Sequence, residues 1–341
     1  MSLKDRVRSY ESAISPHNLH LILFSTEQCN LRCEYCYEDY TVGRMSRDVV
    51  TGIKALLSKR ANDLSSLVIE WFGGEPLLAK SVVLEVNRFA SALVESHPHL
   101  RFSSNITTNA VYLTPETFSE LVDAGVRVFH ISLDGYGEVH DRTRRWYSGA
   151  GTFKSIWSNL IGIAKSKEDV VILLRLHYSR DSLDHMPKLI SEIEREFAGD
   201  PRFLLYFHAI ENLGGKTDEH RTPFSSSQQK AIINWLESKL TIPRMKWAQA
   251  SDLQICYASS ANSLAIRADG AVAKCTVALN DPINHLGTLS RDGSLEIDID
   301  KYRAWIGGLE DLNSQRLACP LNWMIEKQLI SRPALQLVNI T

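Results

Sequence analysis

Six short apolar runs alternate with five helix-length amphipathic stretches between residues 19 and 209, and this alternation limits the fold more than any other feature. The runs are Leu19–Ser25, Leu67–Phe72, Phe102–Thr107, Val126–Leu133, Val170–His177 and Phe203–Ala209. Helical patterns fill the intervals at about 46–60, 78–95, 115–124, 152–166 and 184–197. Strands separated by helices pair in parallel, because each crossover returns the chain to the same end of the sheet. The expectation is an α/β fold, a partial, open (β/α)6 TIM-like barrel, with a small C-terminal α+β domain after it. Thr114-Pro115 reads as an N-cap followed by proline in the first helical turn. Thr222-Pro223 opens a further helix to about Leu240, and Thr241-Ile-Pro-Arg244 reads as a linker. The expected boundaries are an N-terminal extension over 1–17, the barrel over 18–215, a bridging helix and linker over 216–250, the small domain over 251–325 and a tail over 326–341.

Composition narrows the class of partner. Lys plus Arg number 38 and Asp plus Glu 40, a net charge of −2, so no basic excess favours a nucleic-acid backbone. Apolar runs such as Leu21–Phe24 are far shorter than a bilayer span. The first ten residues, Met1 to Tyr10, are charged throughout and lack the apolar core of a secretory signal, so a cytoplasmic protein is expected.

Six cysteines in a reducing compartment point to metal or catalysis rather than to disulfides. Three fall within eight residues, Cys29-Asn-Leu-Arg-Cys33-Glu-Tyr-Cys36, directly after the first apolar run and therefore at a strand C-terminus, where an open α/β barrel places its chemistry. Thiolates select zinc or iron–sulfur clusters. A structural zinc wants a fourth ligand, and His20 starts the strand that leads away from the loop. Three thiolates around a cubane leave one iron bare, which is what a metal needs to bind a reactant. Zinc and a chance grouping are the alternatives. The other three cysteines, Cys256, Cys275 and Cys319, lie far apart in sequence. A hairpin around Asp269-Gly270 returns the chain so that Cys275 can approach Cys256. A second hairpin is expected at Asp292-Gly293 and a helix near Tyr302–Leu309. Three isolated buried cysteines are the alternative here.

The C-x3-C-x2-C spacing, with aromatic Tyr35 before the last cysteine, resembles the signature of the radical S-adenosylmethionine (SAM) superfamily. The resemblance implies a 4Fe-4S cluster on Cys29, Cys33 and Cys36 whose open iron chelates SAM, and one-electron reduction to a 5′-deoxyadenosyl radical. Gly73-Gly74-Glu75-Pro76 is similar to the family's GGEP motif, which implies a backbone hold on the SAM amino group. Thr107-Thr108-Asn109 stands where the family often has Thr-Asn-Gly, with Ala110 replacing the glycine. Ser132 and Asp134, at the fourth strand's end, could hydrogen-bond a ribose, or form a plain Asp-Gly turn. Arg175 on the fifth strand suits a SAM carboxylate, with a core-rim arginine as the plain reading.

The string Asp134-Gly135…His140-Asp141…Arg144…Gly151-Thr152-Phe153 resembles that of SPASM-subgroup enzymes, which modify peptides and proteins. For His140 and Asp141 a loop held by side-chain hydrogen bonds is the favoured reading. The spacing from Cys256 through Gly270 to Cys275 resembles the opening of a SPASM domain; with only Cys319 beyond, it matches the truncated "twitch" form. That implies one auxiliary 4Fe-4S cluster on Cys256, Cys275 and Cys319, its fourth ligand left open. The implied activity is hydrogen abstraction from a C–H bond of a ribosomally made peptide, leading to side-chain crosslinking or oxidation. A precursor peptide and a one-electron reductant such as flavodoxin or ferredoxin are the implied partners. His208 and Glu211 are candidate acid/base groups at the sixth strand. No N-terminal module of leader-binding size is visible, so the precursor is expected at the barrel mouth or on a separate partner. The alternatives are a twitch-type dehydrogenase of a small carbohydrate alcohol, and a non-catalytic iron–sulfur or zinc-binding interaction protein.

Overall fold

A computed structural model of the chain describes residues 3–215, 218–240 and 255–330. After α1 (Leu3–Ile14), six strands follow in order: β1 (Asn18–Thr26), β2 (Ser66–Gly73), β3 (Arg101–Thr108), β4 (Val126–Leu133), β5 (Val171–Tyr178) and β6 (Phe203–Ala209). Between them lie α2 (Arg47–Arg60), α3 (Lys80–Ser96), α4 (Pro115–Asp123), the short α5 (Glu138–Thr143), α6 (Phe153–Ala164) and α7 (Met186–Phe197). The six strands pair in sequence order, all parallel. The expected (β/α)6 framework is therefore present, each strand within two residues of its sequence-derived bounds.

The sheet does not close, and it continues past β1. The C-terminal strands β7 (Ser263–Ile266), β8 (Ala271–Ala273), β9 (Gly287–Leu289) and β10 (Leu295–Ile297) extend it in the order β10-β9-β8-β7-β1-β2-β3-β4-β5-β6. β7 joins β1 in parallel, with His20 opposite Ser263 and Leu23 opposite Ile266. The remaining pairs are antiparallel: β7–β8 and β9–β10 are hairpins at the two Asp-Gly turns expected from sequence, and β8 pairs with β9. The C-terminal region thus shares the barrel's sheet. Among the described residues, α8 (Ser226–Glu237) precedes β7, and α9 (Ile299–Ile306), α10 (Gly308–Asp311), α11 (Ser314–Ala318) and α12 (Pro320–Glu326) complete the chain.

One large core fills the space between the outward strand faces and the helices: Leu21, Leu23, Ile69, Trp71, Ile106 and Phe129 meet Ile53, Val83, Phe118, Leu121, Ile156 and Leu160, all buried. Apolar residues on alternate strand positions bury this face and leave the other toward the barrel interior. Thr114 caps α4, accepting the Thr117 N–H, with Pro115 in the first turn as the sequence indicated. The helix expected from Pro223 begins instead at Ser226. Ser225 accepts the Gln228 N–H, the Gln228 side chain accepts the Ser225 N–H, and this capping box sets the start. The linker Thr241–Arg244 and the last eleven residues of the tail lie outside the described residues. No described helix is long and apolar enough to cross a membrane.

Candidate active site at the strand C-termini

The cysteine triplet occupies the loop after β1, and neighbouring loops fix it from three sides. Arg32 and Glu34 donate backbone N–H bonds to the carbonyls of Arg145 and Thr143, and Tyr147 N–H donates to Asn30 O. The turn after β2 holds the other flank: Gly74 N–H donates to Thr26 O and Glu75 N–H to Gln28 O. Here the glycines are required. Gly73 has φ +107°, and a Cβ on Gly73 or Gly74 would stand 2.4 Å from the carbonyl oxygen of Thr26 or Gln28. After β6, Gly215 lies against the Tyr35 and Cys36 carbonyls. The Asp218 carboxylate holds this loop through the Gly214 and Gly215 N–H groups.

The glutamate of the Gly-Gly-Glu-Pro turn is fully buried and acts as a clasp between strand ends. Its carboxylate accepts from Leu77 N–H (3.0 Å), Thr108 Oγ1 (2.7 Å) and Asn109 N–H (2.7 Å). Pro76 contributes its carbonyl to Ser25 Oγ at 3.1 Å. Asn109 in turn reaches the triplet, donating through Nδ2 to Asn30 Oδ1 (2.8 Å) and lying 3.8 Å from Cys29 Sγ.

Tyr35 points into a buried polar knot. Its hydroxyl donates to Asp134 Oδ1 (3.0 Å), accepts from Arg144 Nη1 (2.7 Å) and lies 3.0 Å from His177 Nδ1. Asp134 also accepts from Thr143 Oγ1 at 2.7 Å. Burial alone would raise the Asp134 pKa, but Arg144 and His177 outweigh it and hold the carboxyl below its usual range. Ser132 Oγ accepts from Arg175 Nε and Nη2 at 3.0 and 2.9 Å. His208 lies on β6 with its ring 5.6 Å from that of His177, and burial lowers its pKa to about 3. Glu211 follows β6, and burial, with the Glu211 charge adding to it, pushes up the Tyr178 hydroxyl. His140 and Asp141 hold the loop as the sequence suggested. Asp141 Oδ1 accepts Thr152 and Phe153 N–H at the start of α6, and buried His140 accepts the Asp134 N–H and meets Thr152 Oγ1.

The three thiols fit an anionic, cation-centred group. Burial pushes Cys29 and Cys33 up to about 12 and raises Cys36, and the charges of the other cysteines add to the effect at each of Cys29 and Cys33. Thiols that repel one another as thiolates ionise together only when a cation joins them. Two buried donors beside them, Asn30 Nδ2 and Arg144 Nε, have no hydrogen-bond partner among the described residues. Unpaired buried N–H groups beside cysteine sulfur suit an acceptor-rich cluster. No three His, Cys, Asp or Glu side chains among the described residues converge as on a single ion. A cluster does not need that, because each thiolate binds a different iron.

The second trio also comes together. Cys256 is pushed up to about 12 by burial and by the charges of Cys275 and Cys319, and Cys319 to about 11 by burial. Cys256 N–H donates to Leu317 O, and Cys319 Sγ accepts the Asn322 N–H at the start of α12. Two features escaped sequence reasoning. His177 was not singled out, and the Glu27–Arg267 pair joins residues 240 apart. His177 alone carried a readable signal, a polar residue alternating with apolar ones along a buried strand.

Comparison with known proteins agrees with this geometry. Residues 23–174 match the Radical SAM superfamily. PqqA peptide cyclase of Bradyrhizobium diazoefficiens is 33% identical over 121 residues, covering 35% of this chain and 30% of that protein. GTP 3′,8-cyclase of Moorella thermoacetica is 32% identical over 160 residues, covering 45% of this chain and 46% of that protein. The chain thus spans less than half the length of these curated relatives. Native anSMEcpe, solved with bound AdoMet and the Cp18Cys peptide, superposes with a TM-score of 0.67 at 18% identity, covering 94% of this chain and 93% of that one, a likeness of fold.

Proposed function

Taking as premise that this chain carries a radical SAM domain over residues 23–174, we propose that it is an enzyme abstracting hydrogen from a C–H bond of a ribosomally made peptide, leading to side-chain crosslinking or oxidation. The observation that carries the reading is the half-buried thiol triplet with its two unpaired N–H donors. A peptide is favoured as substrate by similarity to PqqA peptide cyclase and by the fold shared with peptide-bound anSMEcpe.

Cys29, Cys33 and Cys36 would hold a 4Fe-4S cluster, which together with bound SAM supplies the reductive cleavage and the 5′-deoxyadenosyl radical. The chain's own residues do the positioning. Gly73 and Gly74 let the turn backbone close on the site without a Cβ, and Glu75 locks that turn to β3. Tyr35, Asp134, Arg144 and His177 pin the triplet loop to β4 and β5, so its cysteines keep their spacing. Arg175 is the charged group offered to the SAM carboxylate, and Ser132 orients it. His208 and Glu211 are proposed as proton-handling groups on the substrate side. Cys256, Cys275 and Cys319 are proposed to hold an auxiliary cluster that takes an electron from the substrate or ligates it. A small one-electron protein such as flavodoxin or ferredoxin is the proposed reductant.

Anaerobic reconstitution with iron and sulfide, followed by SAM and dithionite, tests the reading. The expected result is 5′-deoxyadenosine, abolished in Cys29→Ala, Cys33→Ala or Cys36→Ala, and a mass change in a co-incubated precursor peptide. Oxidation of a sugar alcohol with no change in peptide would move the substrate to the dehydrogenase alternative. No 5′-deoxyadenosine from iron-loaded protein would end the enzyme reading.

A further inference from the structure

Beneath the strand ends, the barrel interior holds a cavity of about 120 Å³ that none of the roles above uses. One wall is apolar: Ile22 of β1, Phe72 of β2 and Tyr257 from the segment before β7. Most of the rest of the lining is polar and includes Glu70 of β2, Asn105 of β3 and His130 of β4. These three sit at alternate, inward positions two to four residues before the strand ends, below the level of the Gly-Gly turn and of Asn109.

Thr107 and Thr276 also line the cavity, and its polar side leaves one buried acceptor open. Asn105 Oδ1 is buried and has no hydrogen-bond partner among the described residues. Its Nδ2 makes only a long contact, 3.4 Å, to Glu70 Oε1, and His20 Nε2 stands 3.5 Å from Glu70 Oε2. The His130 pKa is lowered to about 4 by burial and by Arg175. Arg175 turns its Nε and Nη2 away, to Ser132. Burial opposes ionisation of Glu70, yet His20 beside it holds the carboxyl below its usual range. The buried Asn105 acceptor left open is costly unless a donor arrives from outside, and the Glu70 carboxylate, its side chain 40% exposed, is open on one side to meet that donor.

We propose that this cavity receives one side chain of the substrate with an apolar stem and a cationic, N–H-bearing tip, the stem against Ile22, Phe72 and Tyr257 and the tip on Glu70 and Asn105 Oδ1. The assignment rests on the peptide reading above and adds a specificity to it. A side chain anchored by its tip at this depth places its stem carbons on the path toward the strand C-termini, where the cysteine triplet lies. An apolar side chain of equal length would fill the same wall and leave both acceptors unpaired, so it should bind less well.

The test is calorimetric titration of the iron-loaded protein, with SAM present, using N-acetyl-lysine amide and N-acetyl-norleucine amide as probes. The expected result is at least about tenfold tighter binding of the lysine probe, a preference that falls away in Glu70→Gln. Asn105→Leu serves as the second variant should Glu70→Gln fail to load iron, and it should reduce the preference in the same direction. Equal affinity for the two probes, or a lysine preference untouched by both substitutions, overturns the assignment. The two readings fail separately. Wild-type protein that produces 5′-deoxyadenosine without a lysine preference loses only the cavity's specificity, whereas a lysine preference without 5′-deoxyadenosine counts against the radical chemistry.

Discussion

Ala110 has φ 62°, a left-handed conformation that costs an L-residue with a Cβ about 1–2 kcal/mol. It follows Asn109, and its N–H donates to Thr108 Oγ1 while its carbonyl accepts from Asn159 Nδ2. The backbone there is dictated by the need to aim Asn109 at both Glu75 and the triplet loop. A glycine takes this conformation without strain, and alanine carries it with the smallest side chain that has a Cβ. Ala110 is fully buried, so its methyl contributes about 0.8 kcal/mol of burial. Ala110→Gly relieves the strain but loses that burial and gains unfolded-state entropy, and should leave the urea midpoint nearly unchanged. Ala110→Val adds a β-branch in a conformation that excludes it and should cost about 2 kcal/mol or more. A valine variant as stable as wild type would mean the Asn109 hook is not held in this way. The same scale accounts for Glu75. The residue types of its turn can be read from sequence, but its hydrogen bonds to Thr108 and Asn109 cannot, because those partners are over thirty residues away.

At the scale of elements, the hairpin β7–β8 is clamped to the triplet loop. Glu27, directly before the loop, is fully buried, and Arg267 at the hairpin turn meets it with two bonds of 2.9 and 2.5 Å. Arg267 also donates to Leu279 O, and Asn280 Nδ2 donates to Asp39 Oδ2 on the far side of the loop. Removing one partner strands a buried charge. Arg267→Met should therefore destabilise the fold by about 3 kcal/mol or more, and the double change with Glu27→Met should recover most of it. Comparing the denaturation midpoints of the two variants checks this, and an equal loss in both would mean that the pair is not coupled. The strands and helices themselves were legible because their apolar periods are undisturbed: Val126–Leu133 and Phe203–Ala209 have the same bounds in sequence and structure. The start of α8 was not, because Pro223 is a strong local signal but the capping box at Ser225 lies two residues further on.

Over the whole molecule, a single ten-stranded sheet carries both sets of cysteines. The parallel pairing of β7 with β1 was invisible in sequence: β7 is four residues long, and its register against β1 is set by contacts such as Ser263 Oγ with His20 Nδ1. The consequence is that β7 and β8, which the Cys256 and Cys275 segments flank, belong to the same sheet as the strand before the first trio. The proposed chemistry rests on Cys29, Cys33 and Cys36 leaving one metal corner for a small molecule. Electron paramagnetic resonance of the dithionite-reduced, iron-loaded protein, with Cys256, Cys275 and Cys319 all changed to alanine so that one cluster contributes, reads that corner directly. The spectrum should be that of a 4Fe-4S cluster and should shift when SAM is added. A spectrum indifferent to SAM, or zinc in place of iron at the triplet, would contradict the account.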